Sequence, residues 1–353
     1  MSVEPLLKSR KDAHIDIVLD RPVNAPSAAT GLGGFTLEYD ALPEVDLEEV
    51  DLSTTILGKK LRAPFIIGAM TGGTDRTAEI NHRLARAAAR VGVGMALGSQ
   101  RAMVVHPEAA ASFAVRESAP DLPLLFGNIG AIQLNYGMSV DQIAAAIERV
   151  GADALNFHLN PLQEAIQPEG DTRFSGLHAA LTAAIPQLPV PCLIKEVGAG
   201  VSERAAAKIA RLPIAGLEVA GTGGTSWAAV ESWRAGDDVR AEVGRSLAGF
   251  GVPTAESVRI GRKAMGDRLL IASGGLRSGM DLAVALALGA DAVAMARPLL
   301  EAAMQSEQAV VDALERLVFE LKVICFCTGA RNLAELRNVR VIPSVASLSP
   351  RSL

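Results

Sequence analysis

Aromatic residues make up only 4% of the 353 residues of this chain, although hydrophobic residues as a whole make up 49%. A composition rich in Ala, Leu and Val favours helices packed on buried strands over an aromatic-rich β-sandwich. The net charge of −5 is small, which argues against a general nucleic-acid-binding or membrane-binding surface. Local clusters of Arg and Lys could still bind a small anion, because net charge does not describe local charge.

Cysteine is also scarce, and the three cysteines do not have the spacing of metal ligands. Cys192 lies in an apolar run, and Cys325 and Cys327 form a C-x-C pair in an apolar context. We interpret them as buried free thiols in a reducing compartment. Residues 1–17 lack the apolar core of a signal peptide, and no apolar run approaches membrane-spanning length. We therefore expect a cytoplasmic protein without a membrane partner.

Short apolar runs alternate with Ala-rich segments of helical period from about residue 64 onward. The predicted strands are 64–70, 92–97, 122–129, 154–158, 191–197, 215–220, 269–272 and 292–296. The predicted helices are 77–90, 107–117, 140–149, 174–184, 203–211, 255–265, 279–288 and 300–323. Eight strands separated by helices predict an α/β fold, a closed (β/α)8 TIM barrel. A doubly wound open sheet is the alternative, but its G-x-G-x-x-G fingerprint is missing.

The chain contains no linker that would divide it, which predicts a single domain over residues 1–353. Residues 1–63 form an N-terminal extension that would suit a flap or a plug of the barrel. The barrel itself is predicted over residues 64–325, and residues 326–353 form a C-terminal tail. Residues 221–253 form a long Gly-rich loop after the sixth strand. A loop of that length at a barrel mouth is more often functional than not.

The fourth predicted strand is followed by the segment HLNPLQEAIQPEGD, residues 158–171. It places His158, Asn160, Gln163 and Glu164 within seven residues. Barrel enzymes bind their ligands at the carboxyl ends of the strands, so these groups suit a polar ligand and a metal. For Glu164 the alternative is an exposed glutamate at a helix start. For His158 it is a hydrogen-bonded histidine of the core.

Glycine followed by a hydroxyl or basic residue recurs after the sixth, seventh and eighth predicted strands. Loops of this kind present backbone N–H groups to phosphate, which barrels usually bind in their last loops. The pattern predicts a phosphate-bearing cofactor held by Thr225, Gly275 and Arg297. Any one of these glycines could instead form an ordinary tight turn.

Lys195, Arg101 and the pair Arg10–Lys11 are the three other basic candidates for binding an anion. Lys195 lies inside an apolar strand, where its burial is costly unless it meets an anion. We expect it to face the pocket, on the opposite side of the strand from Glu196, although a structural pair with Glu196 or Glu218 is possible. Arg101 follows a Ser-Gln turn at a strand end, which favours anion binding. The pair at residues 10–11 could instead be a solvated charge pair.

Together these motifs resemble those of the type 2 isopentenyl-diphosphate isomerases, FMN-dependent enzymes of isoprenoid biosynthesis. The matching pieces are RKDAHI, MTGG, GSQR, HLNPLQE with QPEGD, IKEVG, GTGGTSW, SGGLRSG and ARPLL. They follow the family order from residue 10 to about residue 300 and so cover most of the chain. The chain departs from the family at Ala13 and Glu218, where Glu and Asp are usual, and at Arg173, where an acidic or small polar residue is common.

The resemblance implies an isomerase that interconverts isopentenyl diphosphate and dimethylallyl diphosphate by a 1,3-allylic proton shift. It also implies reduced FMN as acid and base, NADPH as the reductant, Mg²⁺ that clamps the diphosphate, and a homo-oligomer. The implied FMN contacts are Ala69, Met70, Thr71, Ser99, Asn128, Lys195, Thr225, Gly275, Leu276, Arg277, Ala296 and Arg297. The implied substrate contacts are Arg10, Lys11, Ser99, Gln100, Arg101, His158, Asn160 and Gln163. Gln163 matches the family's active-site glutamine, and Glu164 matches its magnesium ligand.

Two other classes of function compete with this one. A 2-hydroxy-acid oxidase or dehydrogenase would use a similar FMN barrel, but it commonly needs a histidine base after the sixth or seventh strand. Here those loops, GTGGTSW and SGGLRSG, contain no histidine. A non-catalytic flavin-binding or phosphate-binding regulator would explain the glycines. It would not explain Gln163 and Glu164 together with the Arg and Lys residues.

Overall fold

Eight parallel strands close into a barrel in the computed structural model, which describes residues 3–24, 29–236 and 238–344, without the side chains of 3–10 and 108. The barrel strands are β1 (Phe65–Ile67), β2 (Gly94–Ala96), β3 (Leu125–Gly130), β4 (Ala154–Leu159), β5 (Cys192–Glu196), β6 (Gly216–Glu218), β7 (Leu269–Ala272) and β8 (Ala292–Met295). Each strand pairs with the next, and β8 returns to pair with β1, where Val293 lies opposite Phe65. The predicted TIM barrel is confirmed, and each predicted strand overlaps an observed one.

Helices connect the strands and cover the outside of the barrel. The α-helices are Val3–Asp20, Asp75–Val91, Arg101–Val105, Val140–Val150, Pro161–Ile166, Leu177–Ala184, Glu203–Ile209, Trp227–Arg234, Val239–Ser246, Thr254–Met265, Gly279–Ala287, Arg297–Gln305, Glu307–Cys327 and Leu333–Leu336. The loop after β6 that the sequence marks as Gly-rich therefore contains two helices, Trp227–Arg234 and Val239–Ser246.

Two predicted helices differ from the observed elements. The segment 107–117 forms the 3-10 turns Pro107–Phe113 and Val115–Glu117, where Ser112 Oγ bonds to Ala109 O within the segment and to the Gly73 N–H outside it. The single helix predicted at 300–323 is two helices that meet at Ser306. The backbone of Ser306 is extended, and its Oγ accepts the N–H of Ala309, so it caps the second helix instead of continuing the first.

Apolar side chains fill the inside of the barrel on the side of the amino ends of the strands. Inward-facing side chains such as Ile66, Phe126 and Leu193 form one buried cluster, and each stabilises the fold by about 1.5–3 kcal/mol. The hairpin Thr54–Ile56 with Lys59–Leu61 contributes Ile56 and Leu61 to the same cluster. This part of the N-terminal extension therefore acts as a plug, and it leads directly into β1.

The N-terminal helix Val3–Asp20 lies at the opposite end, over the carboxyl ends of the strands. Ile15 is buried there, and Asp12 accepts a hydrogen bond from Thr74 Oγ1 at 2.8 Å in the loop after β1. The other end of the chain is joined to the fold by the strand Val341–Pro343, which pairs antiparallel with Phe35–Leu37. Within the described parts of the chain, no helix has both the length and the apolar character needed to cross a bilayer.

Candidate functional site

A cavity of about 600 Å³ opens at the carboxyl ends of the barrel strands, a volume that suits a cofactor and a small ligand. Of the predicted cofactor contacts, its wall includes Ala69, Met70, Thr71, Ser99, Asn128, Lys195, Thr225, Gly275, Leu276, Arg277, Ala296 and Arg297. Of the other predicted residues, it includes Lys11, Arg101, His158, Asn160, Gln163 and Glu164. The structure thus brings residues from the N-terminal helix to the loop after β8 around one pocket.

Two other predicted substrate contacts, Gln100 and Arg10, need separate treatment. The Gln100 side chain is fully buried, its Oε1 accepts the N–H of Asn128 at 2.8 Å, and its Nε2 lies 3.5 Å from Ala146 O. It therefore supports the end of β3 and does not line the cavity, unlike the direct substrate contact expected of it. Arg10 lies outside the residues whose side chains the structure describes.

The floor of the cavity is polar because inward-facing positions near the strand ends carry polar groups. Lys195 of β5 faces inward, as expected, and its Nζ lies 2.8 Å from Glu218 Oε1 of β6. Both alternatives considered for Lys195 therefore hold together, since it lines the pocket and forms an ion pair. Glu196 points the other way, and its Oε2 accepts the backbone N–H groups of residues 198–200.

His158 lies at the end of β4, where its Nδ1 is 2.9 Å from Asn128 Oδ1. Asn128 Nδ2 donates to Leu97 O at 3.0 Å, which fixes the orientation of this amide. Because Asn128 Oδ1 can only accept, Nδ1 of His158 carries the proton and Nε2 is left as an acceptor. Burial, together with the charges of Lys195 and Lys11, lowers the pKa of His158 to about 3. The ring is therefore neutral at physiological pH.

The loops after β6, β7 and β8 form the region expected to bind phosphate. Gly275 has a φ of +79°, and a Cβ there would lie 2.5 Å from the backbone of Gly223, so the two loops meet backbone to backbone. Arg277 and Arg297 line the cavity beside them. Arg297 begins the helix Arg297–Gln305, so its positive charge stands at a helix amino end.

The residues present fit FMN. Backbone glycines and two arginines suit its phosphate, and Lys195 faces the cavity floor. The Thr71 Oγ1 atom is buried and has no hydrogen-bond partner among the residues that the structure describes, which leaves it available to a ligand. The Thr71 hydroxyl therefore adds a polar contact on the side of the cavity formed by the loop after β1.

Glu164 lies at another part of the wall and is buried, not exposed at a helix surface. Its Oε1 accepts from Asn160 Nδ2 at 2.8 Å and its Oε2 accepts the N–H of Asp171 at 2.7 Å. Burial raises the pKa of Glu164, and the neighbouring charge of Asp171 raises it too, against the hydrogen bonds that it accepts. Asp171 in turn forms a 2.6 Å ion pair with Arg101.

These groups fit a hard divalent cation. Asn160 Oδ1 is buried and, within the described parts of the chain, has no hydrogen-bond partner, so a second oxygen is available beside the Glu164 carboxylate. One or two protein oxygens are what Mg²⁺ commonly takes when substrate phosphates and water complete its shell. A site of this kind needs no cluster of three acidic or histidine ligands, and the described residues contain none.

Sequence reasoning missed the group behind Gln163. Gln163 Nε2 donates to Glu231 Oε1 at 2.9 Å, and His14 Nε2 lies 3.0 Å from the same oxygen. Glu231 belongs to the helix Trp227–Arg234 and is fully buried. Two signals for this group were present in the sequence: Glu231 lies in the long segment after β6, and His14 lies within RKDAHI. Neither signal identifies Gln163 as the side chain that the two residues approach.

The charge state of this group follows from its partners. Burial alone would raise the pKa of Glu231, but the hydrogen bonds from His14 and Gln163 and the charge of Arg234 hold it well below its usual range. Burial lowers the pKa of His14, which favours the neutral imidazole beside the carboxylate. Glu231 is therefore an ionised acceptor beneath Gln163.

The fold and the cavity define a class of FMN-dependent barrels, and the family model described as FMN-dependent dehydrogenase matches residues 32–118 and 171–342. A solved mandelate oxidase structure has a TM-score of 0.66 and 18% identity, covering 96% of this chain and 100% of that chain. Another, crystallised with benzaldehyde, has a TM-score of 0.67 and 20% identity, covering 98% and 99%. At these identities the similarity establishes the fold alone.

Several curated relatives are much more similar in sequence. An isopentenyl-diphosphate delta-isomerase of Stutzerimonas stutzeri is 46% identical over 337 residues, which cover 95% of this chain and 97% of the relative. That of Mycolicibacterium vanbaalenii is 50% identical over 331 residues, covering 94% and 95%. The chain belongs to the isopentenyl-diphosphate delta-isomerase family, and the resemblance inferred from its motifs is confirmed.

Proposed function

We propose that this protein interconverts isopentenyl diphosphate and dimethylallyl diphosphate by a 1,3-allylic proton shift, with reduced FMN and Mg²⁺ bound in the cavity. The observation that carries the proposal is the position of Gln163. Its amide is held between Glu231 and Asn160 in the same cavity as Lys11, Arg101 and the glycine loops. The relatives that bear this enzyme name support the same conclusion.

The diphosphate end of the substrate brings roughly three negative charges, which need cations and a metal to hold them. Lys11 and Arg101 line the same cavity as Glu164, and Glu164 with Asn160 would hold the Mg²⁺. Arg101 already bonds to Asp171, so its guanidinium is oriented by the loop at 167–171 before substrate arrives. Ordering this arginine in advance lowers the entropic cost of binding.

The hydrocarbon end of the substrate offers no hydrogen-bonding group, so it must be placed by the shape of the cavity. Reduced FMN, when bound, supplies an electron-rich face that stabilises developing positive charge and can exchange a proton. Gln163 is placed to orient the alkene end or to relay the proton, since its amide is fixed at both ends. His158, being neutral, offers a lone pair at Nε2 and not a positive charge.

Three further expectations belong to the same proposal and follow from the resemblance. NADPH would reduce the flavin, the subunits would form a homo-oligomer, and the enzyme would act in the cytoplasm. Anaerobic flavin reduction by NADPH tests the first expectation, and a measurement of molecular size in solution tests the second.

Anaerobic turnover in deuterated water is the experiment that tests this function. The purified protein should be yellow, and it should convert isopentenyl diphosphate with deuterium incorporation only when the flavin is reduced and Mg²⁺ is present. Flavin reduction by a 2-hydroxy acid would indicate an oxidase or dehydrogenase instead. Tight flavin binding with no conversion under any of these conditions would indicate a regulator.

A further inference from the structure

Arg234 lies behind the cavity wall, at the end of the helix Trp227–Arg234. One of its guanidinium nitrogens, Nη1, contacts Glu231 Oε2, and Nη2 lies 2.7 Å from Glu169 Oε1. Glu169 belongs to the loop at 167–171 that also carries Asp171, the partner of Arg101. Arg234 therefore joins the helix after β6 to the loop after β4, and it does so through the carboxylate that Gln163 contacts.

Glu231 needs this cation because its own side chain is fully buried. An ionised carboxylate removed from water is costly unless it is paired and hydrogen-bonded. The guanidinium of Arg234 is always protonated, so it brings a permanent positive charge to Oε2. Gln163 Nε2 donates to Oε1 at 2.9 Å, and His14 Nε2 lies 3.0 Å from the same oxygen.

The ionised state of Glu231 decides how the Gln163 amide is oriented. A carboxylate can only accept hydrogen bonds, so the Gln163 NH₂ group must face it. Gln163 Oε1 then faces Asn160 Nδ2 at 3.1 Å, which is also a donor-to-acceptor contact. A protonated Glu231 would itself be a donor. The Gln163 amide could then turn over, so that its oxygen faces Glu231 and its NH₂ group faces the NH₂ group of Asn160.

We propose that Arg234 is a positioning residue that keeps Glu231 ionised and thereby fixes the Gln163 amide in one orientation for proton transfer. The effect on kcat that this inference predicts rests on the proposed isomerase function. The charged and titratable groups around Glu231 include His14 from the N-terminal helix, with Lys11 acting on His14, Arg234 on its own helix, and Glu169 beyond Arg234. Arg234 does not touch the cavity, so its effect must pass through Glu231.

The test compares Arg234→Gln with Arg234→Lys in the flavin-loaded protein, with Glu169→Gln as the matched control. Without the guanidinium charge, Glu231 holds its proton at low pH and releases it only as the pH rises. We expect kcat of Arg234→Gln to fall roughly 10²-fold at pH 6 and to recover toward pH 9, with KM and flavin content unchanged. Arg234→Lys and Glu169→Gln should keep the wild-type pH profile.

A second readout does not depend on turnover. In protein labelled with ¹⁵N-glutamine, the Gln163 side-chain NH₂ signal, assigned with Gln163→Leu, should not change with pH in the wild type and should titrate in Arg234→Gln. A wild-type protein that binds flavin but has no isomerase activity would contradict the proposed function. It would not contradict the role of Arg234, because the Gln163 signal would still show whether Arg234 fixes the amide.

Three outcomes would overturn the inference. One is an Arg234→Gln variant with the wild-type kcat and pH profile. Another is a loss of activity that is independent of pH and equally large in Glu169→Gln, which would indicate a structural role of the loop contact. The third concerns Arg234→Lys, which replaces Arg234→Gln as the test if the latter does not fold. Arg234→Lys keeps the positive charge, so a Gln163 signal that titrates in this variant would show that the charge is not what fixes the amide.

Discussion

Lys195 and Glu218 form an ion pair inside the barrel, with Lys195 Nζ 2.8 Å from Glu218 Oε1. The two residues lie opposite each other in the parallel register of β5 and β6, and both side chains are buried. Ser273 Oγ, in the residue that follows β7, donates to the same carboxylate oxygen at 2.8 Å. The glutamate at position 218 thus reaches both neighbouring strands, and the charge of Lys195 is balanced at the floor of the proposed flavin site.

This pair predicts how the flavin potential responds to Glu218→Gln. Removing the carboxylate leaves the positive charge of Lys195 uncompensated, which favours the electron-rich reduced flavin. We expect the midpoint potential to rise by the order of 30 mV, about 1.4 kcal/mol for a two-electron couple, in a spectroelectrochemical titration. Ser273→Ala, which removes a hydrogen bond without changing charge, should give a smaller shift. A potential that is unchanged or more negative in Glu218→Gln would contradict the proposed position of the flavin over Lys195.

The Glu164 carboxylate predicts a defect in metal dependence. Glu164→Gln keeps the size of the side chain but removes the charged oxygen, so the Mg²⁺ concentration for half-maximal activity should rise at least roughly tenfold. The KM for isopentenyl diphosphate should rise with it, while flavin binding stays intact. Glu148→Gln, on the outer helix Val140–Val150, is the matched control. An unchanged metal requirement in Glu164→Gln would exclude this carboxylate as the ligand.

The barrel could be predicted from the sequence because its signals are local. Each strand is a short apolar run, and each is separated from the next by a segment of helical period, so the alternation itself defines the fold. The boundaries that were wrong depend on side-chain hydrogen bonds. Ser306 ends one helix by capping the next, and Ser112 bonds outside its own turn. Nothing in the periodicity of the sequence distinguishes a capping serine from an ordinary helix residue.

Some residues facing the cavity, such as His158, Glu164 and Lys195, could be predicted because strand ends converge at one rim of a barrel. Others, such as Lys11 and Asn128, followed only from the family resemblance. What could not be predicted is which side chains meet behind that rim. His14, Gln163 and Glu231 come from three distant segments, and their contact depends on where the N-terminal helix lies. Gln100 shows the opposite case, because a side chain at a strand end can turn away from the cavity, toward the helix Val140–Val150, and support the neighbouring strand.

Glu196 predicts a pH-dependent stability. Burial outweighs the N–H groups of residues 198–200 and the charge of Lys195, which lower the pKa of Glu196, so that this pKa is raised from 4.5 to about 7. The folded protein therefore binds this proton more tightly than the unfolded chain does, and the carboxyl contributes less stability as the pH rises from about 4.5 to 7. Glu196→Gln removes that dependence.

We expect the free energy of unfolding of Glu196→Gln, relative to wild type, to increase between pH 4.5 and pH 8 by on the order of 1–3 kcal/mol. Urea unfolding at the two pH values measures this difference. Glu148→Gln provides the control for loss of a carboxylate at the surface. If the difference between Glu196→Gln and wild type is the same at both pH values, the carboxyl does not titrate in this range.

The neutral state of His158 predicts which groups can hold the diphosphate. With its pKa lowered to about 3, the ring should show no titration between pH 5 and 8, and its ¹⁵N shifts should be those of the Nδ1–H tautomer that Asn128 Oδ1 requires. NMR of ¹⁵N-histidine-labelled protein, with His158→Gln used to assign the signal, measures both properties. A midpoint near 6.5 would place a positive charge on the ring, which would then bind the diphosphate as a cation.

A neutral His158 ring instead leaves Lys11, Arg101 and the metal at Glu164 to balance the charge of the diphosphate. His158→Gln should then weaken substrate binding far less than Arg101→Gln.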